Sequence, residues 1–154
     1  MQKITPFLWF DNNAEEAMNF YVSIFKNSKI ASLQRFAEPG GTTIVTGTFQ
    51  LDGQQFMALQ GGPIFKFTEA ISMLVNCETQ EEVDYFWEKL TAGGSESQCG
   101  WLKDKFGLSW QIVPSALGQM LGEKDAVKSK RVTDAMLQMR KIEIAKLRAA
   151  YAGP

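Results

Sequence analysis

The chain of 154 residues contains no histidine, and this absence limits its chemistry more than any residue that is present. Without imidazole there is no Ser-His-Asp triad, no Cys-His dyad and no histidine ligand for zinc, iron or copper. General acid or base catalysis would depend on Asp, Glu, Lys, Tyr or Cys. Asp104 and Glu78 are the acids nearest the ends of predicted strands. Asp104, which precedes Gly107 by three residues, is more typical of a turn than of a general base.

The two cysteines, Cys77 and Cys99, are candidate nucleophiles or metal ligands. They do not form a CxxC motif, and two thiols alone do not complete a zinc site. A reactive thiolate needs a basic neighbour, for which Lys103 and Lys105 are the nearest candidates. Since free cysteine is among the most buried residue types, we expect two structural thiols, kept reduced in a cytoplasmic protein.

Four tryptophans could contact a planar or cationic ligand through their π-faces. Trp87 lies on a helix face equivalent to that of Tyr21, which is typical of core. Trp110 alternates with Gln111, so a Gln111 that faces a cleft places Trp110 towards a helix. We therefore predict Trp101 as the tryptophan that contacts a ligand.

The charge balance indicates which partners to exclude. Sixteen basic and seventeen acidic residues leave a formal net charge of −1, which gives no electrostatic reason to bind nucleic acid or an anionic membrane. The apolar N-terminal run ends at Asp11 without a cleavage site, so we expect no signal peptide. No stretch approaches the roughly 18 apolar residues of a membrane span. We expect a soluble, cytoplasmic protein with no nucleic-acid or membrane partner.

The first part of the chain, residues 1–61, follows a β-α-β-β-β pattern. Its helix places Ala17, Tyr21 and Ile24 on one face, with Glu15 and Glu16 in the first turn. The dipeptide Asp52-Gly53 predicts a type I′ hairpin turn. The predicted elements are strands over residues 3–10, 29–36, 43–51 and 54–59 and a helix over 14–25.

The second half of the chain repeats the first. Glu81-Glu82 follows Glu15-Glu16 at an offset of 66 residues, which also places strand 5–10 on strand 71–76, within an apolar run over 70–76. Gly107 follows Gly53 at an offset of 54 residues. Chance similarity between strand-helix patterns is the alternative, but the repeated offsets favour internal duplication.

The region after Pro114 predicts three helices, over residues 115–121, 124–139 and 141–151. Such an extension would cover a sheet or contact a second subunit. Its basic cluster is typical of a solvated helix face and consists of Lys124, Lys128, Lys130 and Arg131. We therefore predict a single α+β domain over 1–154, made of modules 1–61 and 69–114 and a helical extension over 115–154.

Particular motifs in the two modules resemble a known superfamily. They are Pro6-Phe7-Leu8-Trp9-Phe10-Asp11, the Phe20-Tyr21 pair of the first helix and the run from Cys99 to Gln111. The chain resembles the vicinal oxygen chelate superfamily, which includes glyoxalases, bleomycin-resistance proteins and extradiol dioxygenases. It is most similar to the PhnB-like branch, which also carries the label 3-demethylubiquinone-9 3-methyltransferase.

The resemblance implies two β-α-β-β-β modules whose curled mixed sheet of eight strands surrounds a cleft, and a homodimer. It also implies metal-ligand positions on the first and last strands of each module, which map onto Ile4, Met57, Ala70 and Gln111. Three of these four residues are apolar, whereas a hard divalent cation needs several oxygen ligands. We therefore expect no divalent metal and no other cofactor. A register shift of one residue would bring in Gln55, Gln60 or Ser109 instead.

Three hypotheses for function follow. In the first, which we favour, the chain is a metal-free small-molecule-binding protein with an apolar cleft and the ligand contacts Ile4, Met57, Ala70, Gln111, Trp101 and Arg35. In the second, it is a glyoxalase-like, dioxygenase-like or methyltransferase-labelled enzyme, with Gln111, Arg35 and Asp104 positioning a substrate. Its glycine-rich stretches lack the strand-to-helix context of nucleotide loops, which argues against a methyltransferase. In the third, it is a dimeric scaffold. Catalytic residues stay unassigned.

Overall fold

The computed structural model describes residues 2–154, and the chain divides into two compact units, Met1–Phe67 and Thr68–Pro154. Each unit contains a four-stranded mixed sheet with a helix packed on one face. The predicted α+β class, the two modules and the C-terminal helices are confirmed. Among residues 2–154, no helix is long and apolar enough to cross a membrane.

The sheet of the first unit has the order β1-β4-β3-β2, with β1 parallel to β4 and the other pairs antiparallel. Side chains alternate between its two faces. Leu8, Phe49 and Phe56 are buried on the face that packs against α1, where Tyr21 is also buried. The elements are β1 (Phe7–Phe10), α1 (Ala14–Ile24), β2 (Lys29–Ala37), β3 (Thr43–Leu51) and β4 (Gln54–Gln60).

The hairpin between β3 and β4 turns at the predicted dipeptide. Asp52 has a φ of 46° and Gly53 a φ of 82°. A type I′ turn requires positive φ at both central residues, and glycine meets this requirement without steric cost. The predicted hairpin is therefore confirmed.

The sheet of the second unit has the order β5-β8-β7-β6, with β5 parallel to β8. Its helix begins where the sequence predicts, because the Thr79 hydroxyl accepts a hydrogen bond from the Glu82 amide. The elements are β5 (Ser72–Cys77), α2 (Gln80–Thr91), β6 (Ser95–Glu96), β7 (Trp101–Lys103) and β8 (Ser109–Pro114).

The C-terminal extension forms α3 (Ser115–Leu121), α4 (Ala126–Leu137) and α5 (Ile144–Ala152). The last two helices are shorter than predicted, and α3 has Pro114 rather than Ser115 as its N-cap. The Asp125 carboxylate caps the start of α4 by accepting two backbone amides. The three helices share a core of their own, made of Leu117, Met120, Val132, Met139, Ile142 and Leu147.

The basic cluster on α4 contributes to the packing of this extension. The Arg131 guanidinium donates hydrogen bonds to the carbonyls of Ala150 and Tyr151 at the end of α5, both at 2.8 Å. The Lys128 ammonium lies 4.7 Å from the centre of the Tyr151 ring. Two of the four basic residues therefore hold α5 in place, a role beyond that of a solvated helix face.

The first strands of the two units begin later than predicted. Strand β1 begins at Phe7, because the nitrogen of Pro6 carries no hydrogen and the residues before it are held by a side chain. Gln2 exchanges hydrogen bonds with the backbone of Gln55 through both ends of its amide. Strand β5 begins at Ser72. Ile4 and Ala70 therefore precede the strands in which the sequence placed them.

The internal repeat is confirmed, with one change in register. The offset of 66 residues relates buried positions of α1 and α2, as in the pairs Tyr21 and Trp87 or Ile24 and Leu90. The equivalent buried positions at the ends of β1 and β5 are Phe10 and Cys77, which are related by 67 residues instead. Three residues connect β1 to α1 and two connect β5 to α2, which accounts for the difference.

Candidate functional site

The candidate site lies on the face of the second sheet that points away from α2. Alternation along the strands sends Leu102, Trp110 and Ile112 into the core. The register then places the intervening side chains together on the opposite face. We call this surface the Gln111 face, and it comprises Ser72, Leu74, Trp101, Lys103, Ser109 and Gln111.

Gln111 lies at the middle of this face. It is in register with Leu74 of β5 on one side and Trp101 of β7 on the other. Its Nε2 donates a hydrogen bond of 2.9 Å to the Ser72 Oγ. Its Oε1 accepts no hydrogen bond from any residue of 2–154. The amide therefore presents an acceptor between an aliphatic and an aromatic side chain.

Ser109 has an unusual environment for a hydroxyl group. It is 1% exposed, and its Oγ has no hydrogen-bond partner among the described residues. The register places it between Ser72 and Lys103, on the same face as Gln111. Leaving a buried donor unpaired costs about 1–3 kcal/mol, and buried hydroxyls of this kind are commonly paired by an ordered water molecule.

Lys103 completes the polar part of the face. Its ammonium forms an ion pair with the Glu69 carboxylate, which lies just before β5. The hydrogen bond from Lys103 lowers the pKa of Glu69, with help from a backbone hydrogen bond. Both side chains are substantially exposed, at 43% and 61%. This pair is therefore accessible to exchange with solutes.

The start of β7, which positions Trp101, is held by the C-terminal extension. The amides of Cys99 and Gly100 donate to the carbonyls of Met139 and Arg140, both at 2.8 Å. Cys99 and Gly100 have positive φ values of 59° and 86°. The Gly100 amide thus bonds to the extension, and the Gly100 carbonyl accepts a hydrogen bond from the Ile112 amide of β8. These bonds fix the backbone that leads into Trp101.

Gln80 in turn holds the extension against α2. Its Nε2 donates to the Ile142 carbonyl at 3.0 Å, and its Oε1 accepts from the Ile144 amide at 2.7 Å. The Gln80 side chain also donates to the Asp84 carboxylate, which pairs with Lys141. One amide thus bridges the second module to residues 142–144.

Asp104 serves the turn that the sequence predicted for it. It is 3% exposed, and its carboxylate accepts hydrogen bonds from the amides of Phe106 and Leu108. The Trp110 indole donates to the other oxygen at 2.9 Å. Trp110 is 3% exposed. Both oxygens of this carboxylate therefore stabilise the turn and the adjoining strand, as expected for a turn residue.

Cys77 behaves as a structural thiol. It is fully buried, and burial raises the pKa of its thiol to about 12, with the nearby carboxylates of Glu82 and Glu78 adding to the rise. Cys99 is partly exposed. A thiol with so high a pKa is a poor nucleophile at neutral pH.

The remaining predicted ligand contacts lie elsewhere in the chain. Met57 is half-buried in β4, in register with Phe7 and Thr48, on the sheet face that points away from α1. Arg35 lies on the other face of that sheet, where its guanidinium pairs with Glu15 of α1 at 2.5 Å. Ile4 is 87% exposed, and Ala70 is exposed beside Thr68, whose hydroxyl accepts its amide.

Four residues of the Gln111 face were not among the predicted contacts, namely Ser72, Leu74, Lys103 and Ser109. Ser72 was missed because the offset of 66 residues selected Ala70, whereas the residue that contacts Gln111 lies two positions later. The shorter connection before α2 shifts the register by one residue and accounts for one of these two positions. Ser109 was considered only as an alternative metal ligand, and its unpaired hydroxyl leaves no trace in the sequence.

The donors on this face do not suit the divalent metal of the superfamily. Gln111 offers one amide oxygen, and Ser72 offers a hydroxyl. Residues 2–154 contain no group of three His, Cys, Asp or Glu side chains placed to hold a metal ion. Hard divalent cations are bound by several carboxylate or carbonyl oxygens.

A duplicated β-α-β-β-β unit with this strand order defines a member of the vicinal oxygen chelate superfamily. The chain belongs to the 3-demethylubiquinone-9 3-methyltransferase family, in its PhnB-like branch, since the family model matches residues 2–113. The match ends before α3, so the C-terminal extension lies outside it. No curated protein sequence matches the chain.

Solved structures agree with this assignment. The PhnB protein from Bacillus cereus is 44% identical, with 73% of this chain and 99% of that chain covered and a TM-score of 0.67. Protein PA1353 from Pseudomonas aeruginosa is 18% identical, covering 74% and 98%, with a TM-score of 0.63. The fosfomycin resistance protein FosX from Listeria monocytogenes, complexed with Mn(II) and sulfate, is 15% identical, covering 73% and 91%, with a TM-score of 0.53. The last two show similarity of fold alone.

Proposed function

We propose that this protein binds a small molecule on the Gln111 face without a metal ion. The observation that carries the proposal is the partly exposed amide of Gln111, whose nitrogen is bonded to Ser72 while its oxygen stays available to a ligand. Trp101 and Leu74 flank these polar groups in register. A few polar groups set among apolar side chains are typical of small-molecule sites.

The donor set supports the metal-free part of the proposal. Amide, hydroxyl and thioether groups bind hard divalent cations weakly, and the chain has no histidine to provide a softer ligand. Ile4, Met57, Ala70 and Arg35 stay predicted contacts.

An enzymatic function is the second candidate, and the family description names a methyltransferase. An acid-base mechanism would need a titratable group beside Gln111. Lys103 is a titratable group on this face, but it is exposed and paired with Glu69. The carboxylate of Asp104 accepts three hydrogen bonds in and beside its turn. Binding without catalysis therefore fits the available groups better than an acid-base reaction.

Native mass spectrometry of the protein as purified from cells, together with metal analysis, tests the proposal. We expect a retained small molecule on the wild type and its loss from Gln111→Leu, without stoichiometric metal. Gln34→Leu is the matched control, because Gln34 is exposed on β2. A bound metal lost with Gln111→Leu, or a ligand that both variants retain equally, would contradict it.

We also propose that the chain forms a homodimer. Large apolar side chains are exposed on the sheets of both units, with Phe7 at 54%, Phe36 at 50% and Leu74 at 51%. Exposed apolar surface of this kind commonly marks an interface. Size-exclusion chromatography with light scattering should give twice the chain mass of 17.2 kDa. A monomer across the micromolar range would contradict this proposal.

A further inference from the structure

An open cavity lies within the second unit, where the C-terminal extension meets α2 and β6. Its volume is about 490 Å³, within the range of about 300–1,000 Å³ that small-molecule sites commonly have. Its apolar floor is formed by Trp87 of α2 and by Ala135 and Met139 of the extension. Trp87 and Met139 are each 5% exposed, so a small part of each side chain lines the cavity. The floor can therefore hold one small apolar group.

Most charged side chains on the rim of this cavity are already paired. The Lys146 ammonium lies 2.7 Å from the Glu143 carboxylate. The Lys141 ammonium lies 2.8 Å from the carboxylate of Asp84. Because these are the distances of charge-assisted hydrogen bonds, each of the four groups has a partner. A ligand would gain little by displacing them.

Arg140 and Glu96 are the two charged residues of the rim whose hydrogen-bonding groups stay available. Their closest atoms, Arg140 Nη1 and Glu96 Oε2, are 3.7 Å apart, which is too far for a hydrogen bond. Among residues 2–154 the guanidinium donates no hydrogen bond, while Glu96 Oε1 accepts one from the Trp87 indole at 2.7 Å. The two side chains are 65% and 42% exposed. A solute in the cavity can therefore reach both charges.

The backbone holds both residues in place before any ligand arrives. The Arg140 carbonyl accepts the Gly100 amide at 2.8 Å. Glu96 lies in β6, in register with Leu102 of β7, and its carboxylate is oriented by the Trp87 indole. Groups that are already positioned lose less conformational entropy when a ligand binds.

We propose that this cavity binds a free α-amino acid with an apolar side chain, whose carboxylate pairs with Arg140 and whose ammonium pairs with Glu96. The two groups of an amino acid are both charged at neutral pH and are attached to one carbon atom, so they suit two opposite charges that lie close together. A guanidinium can donate two parallel hydrogen bonds to a carboxylate. The apolar side chain then lies on the floor formed by Trp87, Ala135 and Met139.

A zwitterion fits this rim better than a ligand of one charge. A carboxylic acid without an amine would leave the Glu96 carboxylate facing a like charge, and an amine without a carboxylate would do the same at Arg140. No residue of the Gln111 face lines the cavity. The inference is therefore independent of the proposed function.

Isothermal titration calorimetry with L-leucine, L-methionine and L-phenylalanine, together with the NMR signal of the Trp87 indole, tests the inference. We expect at least one of the three to bind the wild-type protein and to shift this signal. Arg140→Gln and Glu96→Gln should each weaken that binding about tenfold or more, the loss expected when a charged hydrogen bond is removed. Glu96→Gln keeps an oxygen that can accept the indole hydrogen bond, so the floor stays intact.

The analogues of the bound amino acid that lack the ammonium or the carboxylate, which for leucine are isocaproate and isoamylamine, should also bind about tenfold more weakly. Arg148→Gln and Glu88→Gln are the matched controls, because they remove the same charges from exposed positions of α5 and α2 outside the cavity. They should leave the affinity unchanged. No binding of any of the three amino acids, equal binding of the analogues, or binding that Arg140→Gln and Glu96→Gln leave unaltered would overturn the inference.

Discussion

The two units are copies of one module, yet they differ in where they place polar groups. In the first sheet the central row on the face away from α1 is Phe7, Met57 and Thr48. The corresponding row of the second sheet is Leu74, Gln111 and Trp101. An amide thus stands where the other copy has a thioether. This difference is the reason why the proposed binding site is placed on the second copy.

The units also differ in how they stabilise their last hairpin. The first uses long strands and the exposed two-residue turn at Asp52 and Gly53. The second has a three-residue β7 and a longer turn built around the buried carboxylate of Asp104. Short strands contribute few ladder hydrogen bonds, so the second unit depends on side chains and on the C-terminal extension.

The turn carboxylates give the largest expected contrast. Asp104→Asn should lower the free energy of unfolding by about 3 kcal/mol, because it removes a charged acceptor of three buried hydrogen bonds and turns an amide towards the Trp110 indole. Asp52→Asn should change it by less than about 0.5 kcal/mol, since asparagine tolerates positive φ. Urea unfolding of both variants measures the contrast. Equal losses would mean that the two turns are energetically equivalent.

Two glycines at corresponding positions provide the next contrast. Gly47 lies beside Ala58 of β4, and the Gly100 carbonyl accepts from Ile112 of β8. A Cβ on Gly100 would lie 2.9 Å from the Ile112 carbonyl oxygen at a φ of 86°, whereas one on Gly47 would meet the thioether of Met18.

Gly100→Ala should therefore cost about 2 kcal/mol in the free energy of unfolding, and Gly47→Ala about 1 kcal/mol. The backbone carbonyl cannot move away, while a methionine side chain can adopt another rotamer. Thermal or urea unfolding checks the order of the two losses. A larger loss for Gly47→Ala would show that the Met18 contact is the stiffer of the two.

The repeat explains how much of the fold was predictable. Helix positions such as Tyr21 and Trp87 follow one spacing, and Gly53 and Gly107 both have positive φ at the offset found from the sequence. Periodicity and turn chemistry are local, so a sequence reports them directly. The sequence alignment of the two modules placed β5 one residue out of register with β1, because β5 and α2 are joined by one residue fewer than β1 and α1. A one-residue gap in a short connection changes no local structural preference, so no signal in the sequence indicated it.

The candidate site was predictable only in part. Gln111 was identified from the ligand positions that the resemblance implies, and Trp101 by assigning Trp87 and Trp110 to the core. The structure places Gln111 and Trp101 in register with each other. The unpaired Ser109 hydroxyl and the Ser72 contact depend on which residues meet across strands. The two bonds from Gln80 to residues 142 and 144 join segments far apart in the chain. Long-range pairings of this kind have no periodic signal.

The Gln80 bridge allows a smaller test of the difference between the units. Gln80→Ala should lower the free energy of unfolding by about 1–2 kcal/mol, because it leaves the Ile144 amide and the Ile142 carbonyl without their partner. Gln34→Ala on exposed β2 should have almost no effect. Urea unfolding compares the two. A negligible loss for Gln80→Ala would mean that the shared core of the extension, rather than this bridge, attaches it to the second unit.

The smallest expected effect is the acid dependence of the pair between Asp84 and Lys141. The hydrogen bond from Lys141, followed by that from Gln80, lowers the pKa of the Asp84 carboxyl. A folded-state pKa below the unfolded value stabilises the protein above the unfolded pKa of about 4, and this contribution is lost as the pH falls through the folded pKa.

Lys141→Met should therefore reduce stability at pH 7 by a few tenths of a kcal/mol, about the value of an exposed pair, and should make no difference near pH 2. Lys29→Met, at an exposed position of β2 in the first unit, should be neutral at both values. Urea unfolding at the two pH values measures the change. If Lys141→Met still lowered the free energy of unfolding at pH 2, the effect would come from packing of the lysine side chain. The charge of Lys141 would then not contribute to the difference between the units.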